Sequence, residues 1–307
     1  LLFAAWALEM PTARGFYDRV PGSVAELRDE LGGHRLYTPR SVDQLGNLLY
    51  GNRNPVAFDW AQRHLLCNAN VPAGISQVLG CEPLAPRRHA AFTQAFGAPG
   101  APHARRERIF DLWDAGALLG SDVRPIEIAG LTDAERGPEL SRHEPRLGRA
   151  TLMTGWETYD DPRALLGRLL DDDHDPATRV LLEADPDGAS GAPAAQAPTR
   201  RAERVGCEYG PNSLRAAWHV GEGGMLRVLE SWAPGWEATV NGAPAPVLRA
   251  DFLFLAVPVP SGSCQVELHY RPKSVRNGLI VSLFGLVALG TILATDRRRR
   301  ESPAVDS

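Results

Sequence analysis

The chain has 307 residues, 44% apolar and 23% charged, an ordinary globular composition with length for two domains that each bury a core. Its formal charge of -4 and pI near 6.1 include a run of arginines at the carboxy-terminal end, so the rest is more acidic still, and nucleic acid is excluded as an expected partner. Cys67, Cys81, Cys207 and Cys264 lie far apart with no Cys-x-x-Cys spacing, which excludes a zinc ribbon or a haem attachment site.

Residues 1–8 (LLFAAWAL) are apolar but too short to cross a bilayer, and they lack the basic start and cleavage site of a signal peptide. They read as the end of a preceding membrane helix, residues 1–10, so the chain is expected to be a fragment of a larger polytopic protein. Ser23 and Glu26 have capping-box spacing ahead of a helix that places Val24, Leu27 and Leu31 on one face and stops at Gly32 and Gly33. A strand is expected at 34–38, and a second capped helix from Ser41 carries Val42, Leu45 and Leu49. Further helices are expected at 86–96 and 105–113, the latter with Ile109, Leu112 and Trp113 as a core stripe. An edge strand at 123–128 accommodates Pro125.

Residues 149–154 read as a strand. Asp161 as N-cap with Pro162 behind it opens a helix through Leu170, and 179–183 returns as a strand. Residues 11–184 are therefore expected to form an α/β domain, closed by a Gly, Pro and Ala-rich linker at 185–199. Beyond it the period changes to two. Strands are expected at 214–220, 225–232, 236–240, 252–257 and 264–270, with turns at 221–224, Pro234-Gly235, Asn241-Gly242 and Ser261-Gly262. That pattern gives an antiparallel β-sandwich over 200–275 and an α+β fold class for the whole.

Residues 277–295 (NGLIVSLFGLVALGTILAT) contain no charge, and at about 1.5 Å per residue they cover most of a hydrocarbon core roughly 30 Å thick. Arg297, Arg298, Arg299 and Arg300 follow, and the positive-inside bias places them, with the 296–307 tail, in the cytoplasm and the bulk of the chain outside it. An extracytoplasmic setting permits a Cys67–Cys81 disulfide, and separate buried thiols are the alternative. Gly278 and Ser282, four residues apart, could pack against a neighbouring helix or coincide by chance.

The run 229–242 (LESWAPGWEATVNG), then 256–262 (AVPVPSG), then Tyr270-Arg271-Pro272 and Gly278 resembles the carboxy-terminal region of YfhO-type bacterial multi-pass membrane proteins. Earlier pieces are similar too: Asn70-Val71-Pro72, Gly74-Ile75, residues 80–84, Phe110-Asp111-Leu112 and Arg149-Ala150. Cys81 and Ala233 stand where aromatics are usual, and Asn-Gly replaces Asp-Gly in the hairpin. The resemblance implies kinship with C-type glycosyltransferases, which move a sugar from a polyprenyl-phosphate carrier to a cell-envelope polymer. The bilayer, that carrier and that polymer are the implied partners. The acidic catalytic residue of such enzymes lies in an early loop between amino-terminal helices, which this chain lacks, so no catalytic residue is carried over.

Trp232 and Trp236 flank a Pro-Gly turn and are candidate sugar-stacking surfaces, or else plugs of the sandwich core; Asn70 is a further candidate ligand contact. Asp171, Asp172, Asp173, His174 and Asp175 group carboxylates as a hard cation would need, but without the alternating Asp-x-Asp spacing, and a solvated loop reads the same; Asp185 and Asp187 likewise lack a distal glutamate. No metal, cofactor or catalytic residue is assigned. The alternatives to a transferase part are a membrane-tethered carbohydrate-binding or envelope-assembly module and, further off, a hydrolase using the acidic loop.

Overall fold

The computed structural model describes residues 20, 22–38, 71, 73–78, 86–96, 103–119, 140–183 and 196–301. The expected features at 1–10, 41–49 and 123–128, both Cys67 and Cys81, Asn70, Asp185 and Asp187 lie outside them. In chain order the amino-terminal elements are α1 (Gly22–Leu31), β1 (Arg35–Tyr37), α2 (Arg87–Phe96), α3 (His103–Trp113), β2 (Ala115–Leu119) and β3 (Leu140–Arg142). Next come β4 (Ala150–Met153), β5 (Trp156–Tyr159), α4 (Pro162–Leu170), β6 (Val180–Glu183), β7 (Glu203–Arg204) and β8 (Cys207–Gly210). The remainder is β9 (Ser213–Val220), β10 (Gly224–Val228), β11 (Trp236–Val240), β12 (Ala243–Ala245), β13 (Leu248–Ala250), β14 (Phe254–Val259), β15 (Gly262–Tyr270) and α5 (Lys273–Glu301).

Strict alternation makes the last strand. In β15 Cys264, Val266 and Leu268 are buried while Ser263 and Gln265 are exposed, the period of two that a half-buried strand requires. It lies at the centre of a five-stranded antiparallel sheet, β12-β11-β15-β9-β8. Asn241 and Gly242 turn β11 into β12 with φ of 52° and 79°, the left-handed pair that a tight hairpin needs. The Asn241 side chain ties that turn to β15, accepting from the Gln265 amide at 2.8 Å and donating to the Ser263 carbonyl at 3.1 Å.

A seven-stranded sheet, β5-β6-β13-β14-β10-β4-β7, faces this one. Leu152, Leu226, Val228, Leu255 and Val257 meet Leu214, Ala216, Val240, Val266 and Leu268 in one apolar cluster, which makes the two sheets a sandwich. The other side of the larger sheet is covered by helices: Leu181 and Phe254 pack with Phe92 and Phe96 of α2, Ile109, Leu112 and Trp113 of α3, and Leu165 and Leu169 of α4. A third sheet, β1-β2-β3, rests on α1 through Val24, Leu27 and Leu31. The fold is thus α+β with an antiparallel sandwich, closed by a helix long and apolar enough to cross a membrane.

Two details differ from the sequence reading. Strands from both sides of the expected linker share the seven-stranded sheet, because β4, β5 and β6 pair there with β10, β13 and β14. The strand-helix-strand unit runs through β5, α4 and β6, whose strands are parallel, while β4 pairs antiparallel with β10 and β7. Gly155 separates β4 from β5: a Cβ there would meet Pro198 at 2.7 Å, so the chain passes where only glycine fits.

Candidate functional site

Two places concentrate chemistry. One is the joint between β15 and α5. Gly235 has φ of 116°, and a Cβ on it would stand 2.7 Å from Pro272 Cα, so the Pro-Gly turn can lie against the joint only because it ends in glycine. The Arg271 amide donates to the Gly235 carbonyl at 2.7 Å, and Trp236 opposes Tyr270 across the strands with ring centroids 5.3 Å apart. Trp236 Nε1 donates to the Ser231 carbonyl at 3.2 Å. Beyond this collar none of the apolar window Lys273–Ala294 is buried, and Leu279, Val281, Leu283, Phe284 and Leu286 stand exposed. Such a surface is stable in lipid and costly in water.

Trp232 and Trp236 are both half-buried at the margin of the sandwich core. The face of Trp232 is covered by the Arg249 guanidinium, 3.8 Å from the ring centroid. Arg249 donates to Glu183 at 2.8 Å, and Arg88 donates to both oxygens of the same carboxylate. Burial alone would raise the Glu183 carboxyl; the two guanidiniums overcome it and hold the pKa below its ordinary value.

The second place is a cleft of about 480 Å³ on the helical side, lined by Glu107, Arg108, Asp111, His143, Glu144, Arg146 and Asp172. Glu107 and Asp111 are four apart on α3 and so share a face. His143 lies between them, Nδ1 at 3.0 Å from Glu107 Oε2 and Nε2 at 3.5 Å from Asp111 Oδ1, with Phe110 tilted against its ring. Asp111 is almost wholly buried and accepts from the Arg146 amide at 2.7 Å and from Arg146 Nε at 2.6 Å. Burial would lower the Arg146 pKa, and the Asp111 and Asp175 carboxylates raise it instead.

Asp172 of the acidic run 171–175 also lines the cleft, and arginines organise that run. Arg108, itself buried, donates to the carbonyls of Asp171 and His174 and to Asp172 Oδ1. Asp173 accepts from Arg168 at 2.6 Å, which pulls its pKa down, and Asp175 pairs with Arg146 at 3.2 Å. The run therefore belongs to a guanidinium-strapped loop, and among the described residues no three metal-type ligands converge. His174 points inward, 2% exposed, and its burial lowers its pKa. Sequence reading singled out the Asp run but not Glu107, Arg108, Asp111, His143 or Arg146 as site residues, and their partners lie up to 66 residues away.

Residues 232–282 match the family profile described as bacterial membrane protein YfhO, a stretch that begins at Trp232, includes the collar and enters α5. The chain is 26% identical over 105 residues to the uncharacterized protein YfhO of Bacillus subtilis (strain 168), an alignment covering 34% of this chain and 11% of that protein. No solved structure matches.

Proposed function

We propose, from the premise that this chain is of the YfhO type of bacterial membrane protein, that its folded body stands outside the cytoplasm as part of a glycosyltransferase-like protein and supplies acceptor contact or scaffolding. Its bilayer association follows from the family and from the apolar helix. The observation that carries the reading is the collar. Gly235, Trp236, Tyr270 and Pro272 lock the sandwich to the root of the helix, so the body is held at a fixed distance from the lipid surface and a polymer brought there would meet the same face of it each time. Tyr and Trp beside a span also suit the interfacial region, with apolar rings and polar edges. The four arginines after the span favour the cytoplasm for the tail.

In this reading the polyprenyl-phosphate sugar is handled by membrane helices preceding this chain, and the envelope polymer is what the body touches. A membrane-tethered carbohydrate-binding or assembly module is the second reading, favoured by the charged cleft, whose described lining residues all belong to the folded body. Alkaline phosphatase fused after Ala13 and after Arg300 tests the orientation in cells: activity at the first junction and none at the second is expected, and the reverse pattern defeats the proposal. Loss of glycosyl transfer to envelope polymer on deleting 200–272 while the membrane helices remain inserted separates the transferase part from the module.

A further inference from the structure

We infer that the root of α5, with the end of the sandwich from which it leaves, is a docking surface for the phosphate headgroups of anionic phospholipids in the leaflet beneath the body. The inference rests on the span and not on the glycosyltransferase reading, and it holds for whichever leaflet the body faces. Its first support is position. The uncharged run begins at Asn277. At about 1.5 Å per residue Arg276 stands roughly 1.5 Å and Lys273 roughly 6 Å outside that run, within a headgroup layer about 5–8 Å deep on each side of the hydrocarbon. Arg271 adjoins them in the collar, where its amide donates to Gly235. All three residues are exposed.

Helix stability does not account for these cations. Lys273 and Arg276 occupy the first turn of α5, which holds no acidic residue, and the helix dipole opposes positive charge there. Among the described residues the one ion pair of the three is Arg271 with Glu237, 3.8 Å apart with side chains 69% and 61% exposed, too loose to fix either. A lipid phosphate is the complementary group: a guanidinium pairs with it through two parallel hydrogen bonds, and an ammonium meets it as a point charge. The two ends of the five-stranded sheet differ in the same sense. At the end next to α5 stand Trp236, Tyr270 and, 39% exposed, Tyr209, which precedes the 210–213 turn whose Asn212 carbonyl accepts from the Tyr270 amide. The turns at the opposite end, 221–223, 241–242 and 260–262, hold Gly, Glu, Asn, Pro and Ser, with neither an aromatic ring nor a cation. Aromatic rings with polar edges suit the headgroup layer, so rings and cations gather at the one end that meets it.

The test is spin-label EPR on the whole chain reconstituted in phosphatidylcholine bilayers, comparing trace spin-labelled phosphatidylglycerol with spin-labelled phosphatidylcholine in the motionally restricted shell. Because the tail is a second basic end, Arg297→Gln, Arg298→Gln, Arg299→Gln and Arg300→Gln are introduced together as the reference chain. Its preference for phosphatidylglycerol is expected to be at least about threefold averaged over the shell, one cation near a charged leaflet contributing roughly fivefold. Adding Arg271→Gln, Lys273→Gln and Arg276→Gln should bring the preference to about one, whereas Arg271→Lys with Arg276→Lys, which keeps the charge, should retain most of it. Raising salt from about 0.05 to about 0.5 M should erase most of it as well. An unchanged melting temperature of the body is the check on folding. No preference in the reference chain, a preference untouched by the three Gln substitutions, or a loss as complete with Lys as with Gln would overturn the inference. A cytoplasmic reporter at residue 13 would defeat the proposed function and leave this preference unchanged.

Discussion

The sandwich and the charged flank of α3 are held together by different physics. Between the sheets the contacts are apolar: Leu214, Leu226, Leu255, Val257, Val266 and Leu268 are at most 1% exposed, and each fully buried side chain of this kind contributes about 1.5–3 kcal/mol through area that needs no particular orientation. On the flank, cohesion comes from guanidiniums reaching across the chain to carboxylates and carbonyls, so it is directional and each member depends on its partner. Apolar packing tolerates an approximate partner of the right volume, whereas a charge network tolerates no missing member.

The sharpest place to break that comparison is Arg227 with Asp251, a fully buried pair at 3.1 Å inside the seven-stranded sheet. Arg227 also donates to the Pro176 carbonyl at 2.9 Å, and Asp251 accepts from the Leu181 amide at 2.9 Å. Arg227→Met leaves a buried carboxylate without its counterion and should cost about 3–5 kcal/mol in urea unfolding. Adding Asp251→Asn to it should recover part of that loss, since the stranded charge is gone. If the single variant unfolds like wild type, the buried pair is not what holds that part of the sheet.

Truncating the apolar side instead, Leu268→Ala removes a side chain from the middle of the sandwich core and should cost about 2–4 kcal/mol, depending on how far the sheets close over the cavity. Here a second substitution cannot restore what was lost unless it refills the volume. A Leu268→Ile variant near wild type, with the Ala variant low, would mark the site as governed by volume; equal losses would mark it as governed by shape.

The same division explains what could be read from residues alone. Alternation in β15, the Asn241-Gly242 hairpin, the Val24, Leu27 and Leu31 face of α1 and the Asp161 cap are local signals, and each appears in the structure at its expected position. The apolar helix was legible for the same reason. Short strands were not: β7 has two residues and β12 and β13 three each, too few to show a period, and Pro244 inside β12 has no N–H for a ladder. The cleft was least legible, since Arg108 to His174 and Arg146 to Asp111 are contacts between residues 66 and 35 apart that no periodicity encodes.

A smaller effect is expected at the start of α4, which carries the acidic loop at its far end. Asp161 accepts from the amides of Arg163 and Ala164 at 3.0 and 3.3 Å, satisfying two of the donors that a helix start leaves open. Asp161→Ala should cost about 1 kcal/mol, read as a lowered melting temperature, with Asp161→Ser close to wild type. A loss as large as that of Leu268→Ala would mean that the cap also holds the loop.

The smallest expected change is the pH dependence set by His34 and His174. His34 donates from Nδ1 to the buried Asp114 carboxylate at 2.7 Å, and that hydrogen bond raises its pKa against the opposing effect of burial. The protonated form is favoured on folding, so its contribution is complete below the unfolded value of about 6.5 and disappears as pH climbs through the raised folded value. His174 behaves oppositely: burial lowers its pKa, the folded ring stays neutral, and the unfolded chain takes up a proton first. Its share of stability is present above about pH 6.5 and is lost as pH falls toward the lowered folded value. The two contributions act on opposite sides of the histidine range, so stability should peak near it. His34→Gln should leave only the acid-side loss, and His174→Leu only the alkaline-side loss. Unfolding followed from pH 5 to 8 for the two variants should thus give slopes of opposite sign, and slopes of the same sign would mean that one of the two rings is not in the environment described for it.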